Sequence, residues 1–129
     1  MKVLCVCTMG QNRSKYLADY LEQLGYETRY GGVGPCKWDP KPVNEVKFED
    51  VKWADIIITA RNKHIPILIE KYNAKGKKMI ALEVIDSRKK MAGTHPEFKQ
   101  MERSEFNRIW TYPQLEKTIA KYLPLENQI

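Results

Sequence analysis

The most reactive type of side chain near the start of the sequence is the thiol of Cys7, which is followed after a five-residue gap by Arg13 and Ser14. A cysteine that attacks phosphorus must be a thiolate at neutral pH, and the phosphoryl oxygens need N–H donors and a cation. The intervening backbone can curl into a nest of inward-facing N–H groups at the first turn of a helix. This positive field favours the thiolate form of Cys7. The pattern predicts a cysteine nucleophile in a phosphate-binding loop.

Other residues of this loop have types that suit the same chemistry. Arg13 offers a planar fork that can hold two phosphoryl oxygens, which a lysine cannot do. Ser14 can donate a hydrogen bond to the sulfur and stabilise it as a leaving group when the thiophosphate intermediate is hydrolysed. Gly10 can adopt the positive φ that a tightly closed loop needs. The residues predicted to bind the phosphate, besides Arg13, are Thr8, Met9, Gly10, Gln11, Asn12 and Ser14.

Strands and helices alternate along the chain and position this loop. Apolar segments predict strands at 3–7, 27–30, 56–58 and 79–85, and the turn-rich segments 31–42 and 86–96 are predicted to be loops. Helical spacing predicts a helix from about Ser14 to just before Gly25, a helix within 43–53, a helix near 62–72 in which Pro66 either makes a kink or marks a late start, and a C-terminal helix that begins near Pro113.

This alternation predicts an α/β fold. We expect one domain over residues 1–129, a three-layer sandwich with a four-stranded parallel sheet and helices on both faces. Ligands of such sheets bind beyond the carboxyl ends of the strands. The first strand ends at Cys7, so the phosphate-binding loop falls at the expected edge.

Composition limits the cellular location of the chain and the kinds of partner that it can attract. No apolar run is long enough to cross a bilayer, and the first residues do not read as a signal peptide, so we expect a cytoplasmic location. Three cysteines do not suggest a disulfide framework. The net charge of +6 favours binding to negatively charged partners, but it does not distinguish phosphorylated proteins from nucleic acid or an acidic membrane surface.

The opening residues resemble the low-molecular-weight protein tyrosine phosphatases, and more closely a branch of short microbial predicted tyrosine phosphatases. The resemblance rests on the segment 3–7, on Arg13-Ser14 running into a helix with Leu17-Ala18, and on the segment 50–58. In outline it extends over most of residues 1–102. It implies a covalent cysteinyl-phosphate intermediate, no metal and no other cofactor.

The resemblance also implies an aspartate after the fourth strand that protonates the leaving phenol. The usual Asp-Pro pair is absent here, and Asp86 is the predicted general acid because it directly follows the strand. Asp86 could instead be a turn residue, in which case His95 could supply the proton at mildly acid pH. Gly10 stands where the family commonly has asparagine.

Four further residues have two possible roles each. Trp38 falls where the family places aromatic residues that line the substrate's ring, so it either stacks on substrate or packs in its loop. Cys5 is expected in the core rather than as a redox partner of Cys7, and Cys36 is expected to be an exposed thiol rather than a resolving cysteine. His64 is predicted to be a solvated helix residue.

These observations predict a phosphomonoesterase, and more specifically a protein tyrosine phosphatase. Its partners would be phosphotyrosine proteins or small aryl phosphates, with nucleic acid less favoured and the oligomeric state open. A phosphate- or nucleic-acid-binding module with little or no turnover is the alternative. An arsenate reductase is disfavoured, because such enzymes need further cysteines late in the chain and none follows Cys36.

Overall fold

The computed structural model describes residues 1–35 and 41–129. Its strands pair in parallel throughout and form one sheet in the order β2-β1-β3-β4. The predicted fold class, an α/β domain with a four-stranded parallel sheet, is confirmed. The strands are β1 (Lys2–Cys7), β2 (Glu27–Gly32), β3 (Ile56–Thr59) and β4 (Met79–Ala81).

The helices of the described residues follow the predicted alternation. Pro66 is the third residue of its helix, where its missing N–H has no intrahelical acceptor, so it marks a late start. None of these helices has the length and apolarity that crossing a membrane requires. They are α1 (Arg13–Gln23), α2 (Phe48–Trp53), α3 (His64–Lys71), α4 (Arg88–Met91), α5 (Arg103–Phe106) and α6 (Tyr112–Ile119), with a π-helical turn at Asn107–Thr111 and 3-10 turns at Pro96–Gln100, Ala120–Tyr122 and Leu125–Gln128.

Alternate residues of β1 point to opposite faces of the sheet and bury two hydrophobic layers. Fully burying one aliphatic side chain of this size contributes roughly 1.5–3 kcal/mol, so these layers hold the sheet between its helices. On one face Val3 and Cys5 pack with Leu17, Leu21, Leu115 and Ile119, and on the other Leu4 and Val6 pack with Val51, Ile57, Leu68 and Tyr72.

Two boundaries differ from the sequence prediction because of backbone conformation and close packing. The fourth strand ends at Ala81, because Glu83 has a φ of +57° that interrupts the extended backbone. Gly31 and Gly32 belong to β2 and are buried, whereas the sequence places them in a surface loop. The predicted loop 86–96 contains α4 and the first residue of a 3-10 turn.

The order of the strands creates a crevice at the end of β1. From β1 the chain goes to β2 on one side and later to β3 on the other, so the connections diverge at this point. Ligands of open parallel sheets bind in such crevices. The loop that follows Cys7 occupies this position.

Candidate active site

The loop after β1 is held from outside through its carbonyl oxygens. The oxygens of Cys7, Thr8 and Met9 accept hydrogen bonds from the N–H groups of Val33, Gly34 and Asn44 at 3.1, 2.9 and 3.1 Å. The Asn44 side chain donates a further bond to the oxygen of Gly10 at 3.3 Å. With the carbonyls tied outward, the loop N–H groups are free to face a ligand, as in anion-binding nests.

Gly10 is the one loop position at which the backbone excludes any side chain. Its φ is +77°, as the sequence predicts. A Cβ atom at this position would lie 2.2 Å from the Asn44 carbonyl oxygen and 2.4 Å from the Gly32 nitrogen. An asparagine, common here in the resembled family, would require this contact to open.

Cys7 lies at the base of the loop with its sulfur among polar groups. Its Sγ is 3.1 Å from Ser14 Oγ and accepts a hydrogen bond from the Gly10 N–H at 3.3 Å. The residue is buried, yet it lines the pocket described below. Both hydrogen-bonding groups can stabilise a thiolate, which is the reactive form of a cysteine.

Cys5 provides a contrast two residues earlier on the same strand. It belongs to the core and is fully buried. Burial, together with the nearby Cys7 and Asp19, raises the pKa of the Cys5 thiol far above its ordinary value. Cys5 is therefore a core thiol, as predicted.

Arg13 begins α1 and extends beneath the loop, where only 5% of the residue is exposed. Nη1 donates to the Val84 carbonyl at 2.8 Å, and Nη2 donates to Thr8 Oγ1 at 3.5 Å. Nε lies 3.3 Å from Asp86 Oδ2, but the geometry is not that of a hydrogen bond, so this buried N–H has no acceptor within the described residues. The guanidinium retains donors for an anion.

Asp86 and Asn12 meet at the mouth of the loop. Asn12 Nδ2 donates to Asp86 Oδ2 at 3.2 Å, and Asn12 Oδ1 accepts from the Tyr112 hydroxyl at 2.8 Å. Asn107, in the π-helical turn, exchanges bonds of 3.3 and 3.4 Å with the same amide. Sequence reasoning missed Asn107 and Tyr112, because their positions depend on where the C-terminal helices pack.

A pocket of about 540 Å³ opens over this loop. The structure brings Asp86 to it, whereas His95 packs elsewhere, with its ring stacked on Phe98 at 5.0 Å. Gly10 and Ser14 support the loop from behind the lining, and Trp38 and Cys36 lie outside the described residues. No three His, Cys, Asp or Glu side chains cluster as metal ligands within residues 1–35 and 41–129. Predicted site residues that line the pocket are Cys7, Thr8, Met9, Gln11, Asn12, Arg13 and Asp86.

His64 is a correction to the sequence prediction, because it is fully buried rather than solvated. Its Nδ1 accepts a hydrogen bond from the Arg61 N–H at 3.2 Å, so the ring proton is on Nε2, which lies 2.9 Å from Thr8 Oγ1. Thr8 Oγ1 thus accepts from His64 and from Arg13. Its own proton is left to point toward another acceptor, such as a bound anion.

The His64 ring is expected to make the fold sensitive to acid. Burial, reinforced by Arg13, Lys63 and Arg61, lowers the pKa of His64 to about 3. As the pH falls below ~6.5, His64 becomes protonated in the unfolded chain but stays neutral in the folded chain. The free energy of unfolding therefore decreases as the pH falls from ~6.5 toward the folded pKa. Relative to a His64→Gln variant, the free energy of unfolding should fall by roughly 3 kcal/mol more between pH 7 and pH 4.

Urea unfolding at several pH values measures this difference. The comparison uses the change in the free energy of unfolding with pH, so a pH-independent loss of stability in the variant does not affect it. Equal slopes for the two proteins would show that His64 is not held neutral.

The sequence matches no protein-family model and no curated protein. The fold, in contrast, is similar to solved structures over nearly the whole chain. A low molecular weight protein tyrosine phosphatase from T. tengcongensis gives a TM-score of 0.63 at 20% identity, covering 100% of this chain and 99% of that chain.

Two other solved structures extend the comparison. Wzb of Vibrio vulnificus, in complex with benzylphosphonate, gives a TM-score of 0.61 at 16% identity, with 94% and 95% of the two chains covered. A mutant of the YwlE arginine phosphatase with a phosphorylated active-site serine gives 0.56 at 16% identity, with 100% of both chains covered. These likenesses confirm the fold that the resemblance implies.

Proposed function

We propose that this chain, which has the fold of the low-molecular-weight protein tyrosine phosphatases, hydrolyses phosphomonoesters through Cys7. The observation that carries the proposal is the loop itself. A buried sulfur lies at its base, its carbonyls are bonded outward, and Arg13 lies beside it. Such an arrangement can bind a tetrahedral anion and activate the sulfur that attacks it.

The proposed reaction has two steps. The Cys7 thiolate attacks phosphorus, a sulfur–phosphorus bond forms, and the bond to the leaving oxygen breaks as Asp86 gives that oxygen its proton. Water then attacks phosphorus, Asp86 takes a proton from the water, and the sulfur leaves as a thiolate stabilised by Ser14. Arg13 and the loop N–H groups hold the phosphoryl oxygens in both steps, so phosphate is released and the chain is regenerated.

Asp86 is the proposed proton donor on the basis of position. It follows the segment after β4 and lines the pocket that contains Cys7, whereas His95 is not among the lining residues. Its contacts with Arg13 and Asn12 place its carboxyl group at the loop. The donor must be within reach of the leaving oxygen, so geometry favours Asp86.

The proposed substrates are phosphotyrosine proteins or similar aryl phosphates. Two similar structures support a substrate with an aromatic ring next to its phosphate: one is a tyrosine phosphatase, and the other binds benzylphosphonate. The role of Trp38 beside the substrate's ring stays a prediction. A cytoplasmic location, with phosphorylated proteins as partners, belongs to the same proposal.

Replacing Asp86 with asparagine tests this function through its dependence on the leaving group. Phenolate is a strong base and needs a proton as it leaves, whereas para-nitrophenolate needs little help. Asp86→Asn should lower kcat/KM, which reports the first step alone, by about 10²-fold or more for phenyl phosphate and by much less for para-nitrophenyl phosphate. Steady-state kinetics on both substrates, for the wild-type and variant chains, measure the difference.

His95→Asn is the matched control, since it removes the other candidate donor. It should leave the ratio of the two rates unchanged. If His95→Asn produces the leaving-group effect and Asp86→Asn does not, the donor is misassigned. If the wild-type chain hydrolyses neither ester, the proposed function is wrong.

A phosphate-binding module with little turnover is the second candidate. The contacts of Asp86 favour it, because one carboxylate oxygen already faces Arg13 and Asn12. Such a module would bind inorganic phosphate without hydrolysing either ester.

A further inference from the structure

The pocket has a cationic wall apart from Arg13. Lys63 lies just before α3 and Lys90 lies within α4, and both line the pocket together with Arg61 and Arg103. The one acidic residue in the described lining, Asp86, is in contact with Arg13. Since the side chains of one sign converge on a concave surface, their field is focused into the pocket.

The two lysines differ from the two arginines in having no internal partner. Arg61 Nε lies 3.6 Å from a Glu83 carboxylate oxygen, and Arg103 donates to the Asp86 carbonyl. Within residues 1–35 and 41–129, neither the Lys63 nor the Lys90 ammonium group has a carboxylate in salt-bridge range or a hydrogen bond, although the Lys90 backbone N–H donates to Ser87 Oγ. Burial and the charges of Arg61, Arg13 and Lys90 lower the pKa of Lys63.

The lysines come from segments of the chain other than the proposed phosphate-binding loop. They follow β3 and β4, whereas Cys7 ends β1. Adjacent strands lie ~4.8 Å apart, so the ends of β3 and β4 are displaced from the end of β1 by roughly 5 and 10 Å across the sheet. The pocket volume of about 540 Å³ leaves room for a ligand larger than one phosphate.

We propose that Lys63 and Lys90 form a second anion subsite, which binds a second negatively charged group of the substrate beside the phosphate that is removed. The inference rests on the proposed function and narrows its substrate class. The second group is a carboxylate or a phosphate. Its source is either the acidic side chains that flank a phosphotyrosine or a second phosphate on a small aryl phosphate.

Paired substrates test the subsite. One pair is a phosphotyrosine peptide flanked by glutamates and the same peptide flanked by glutamines; the other is phenyl phosphate with and without a phosphonomethyl group on the ring. The acidic member of at least one pair should show a kcat/KM about tenfold higher, and added salt should reduce the preference. Preference confined to the peptides identifies a peptide source, and preference confined to the small esters identifies a small molecule.

Charge reversal assigns the preference to the two lysines. In a Lys63→Glu, Lys90→Glu double variant the ratio of acidic to neutral kcat/KM should fall to about one or below. A Lys75→Glu, Lys121→Glu variant carries the same change in net charge at exposed positions that do not line the pocket, and it should keep the wild-type ratio.

Failure of the subsite and failure of the proposed function give different results. Hydrolysis of both members of each pair at equal rates, or a preference that survives the double reversal, overturns the subsite alone. Absence of all hydrolysis overturns the function. In that case calorimetric binding of the non-hydrolysable difluorophosphonomethyl versions of both pairs still decides the subsite: equal affinity within each pair rejects it.

Discussion

A Cys7→Ser chain should hydrolyse para-nitrophenyl phosphate at least about 10⁴-fold more slowly than the wild-type chain. The two side chains have similar shapes, so the loop should keep its conformation. A serine hydroxyl, however, ionises far less readily than a thiol, and the hydrogen bonds from Gly10 and Ser14 cannot make up that difference. Steady-state kcat measures the effect, and thermal unfolding checks that the variant is folded.

Cys5→Ala is the control for this prediction. It changes the neighbouring cysteine of the same strand, whose side chain is in the core and away from the pocket. The variant should lose stability because it leaves a small cavity, but its kcat should stay within about threefold of wild type. If Cys7→Ser keeps its turnover, or if Cys5→Ala loses it, the assignment of the nucleophile is wrong.

Arg13→Lys should lower kcat/KM for the same ester by about 10³-fold, although the charge is kept. A lysine reaches the phosphate with a single ammonium group and cannot hold two oxygens in one plane. It would also leave the Val84 carbonyl, which now accepts from Nη1, without its donor. Kinetics and calorimetric binding of inorganic phosphate measure the loss.

The pattern across the Cys7 and Arg13 variants separates an enzyme from a binding module. Cys7→Ser should keep phosphate affinity while Arg13→Lys loses most of it. Lys99→Arg, an exchange of the same two cations at an exposed position, should change neither. Arg13→Lys kinetics within tenfold of wild type would contradict the role of the guanidinium fork.

Sequence patterns predicted the parts of the site that depend on local structure. β1, the loop and α1 are contiguous, and a buried strand, a glycine with positive φ and an amphipathic helix each have a local signature. The sequence therefore located Cys7, Gly10 and Arg13 together. Asp86 was also predicted correctly to lie near them, because the ends of parallel strands share one edge of the sheet.

The residues that sequence reasoning missed depend on contacts between distant segments. His64 follows Arg61, Asn62 and Lys63, and this polar surrounding predicts an exposed side chain. The fold instead places it behind Thr8, where its ring is desolvated. Gly32 was predicted to be a loop residue because glycine is typical of turns. A glycine is needed in this strand because the backbones of Thr8 and Gly10 approach it closely, and that contact cannot be seen in the sequence.

The hydrogen bonds that the loop carbonyls accept from neighbouring segments reduce the entropic cost of ligand binding. Val33, Gly34 and Asn44 fix the loop backbone while the chain folds, so the conformational entropy of the loop residues is lost before any ligand arrives. A ligand therefore meets a preorganised receptor, and little of its interaction energy is consumed in ordering the backbone. Asn44, which need not touch the ligand, can accordingly influence affinity through the rigidity of the residues that do.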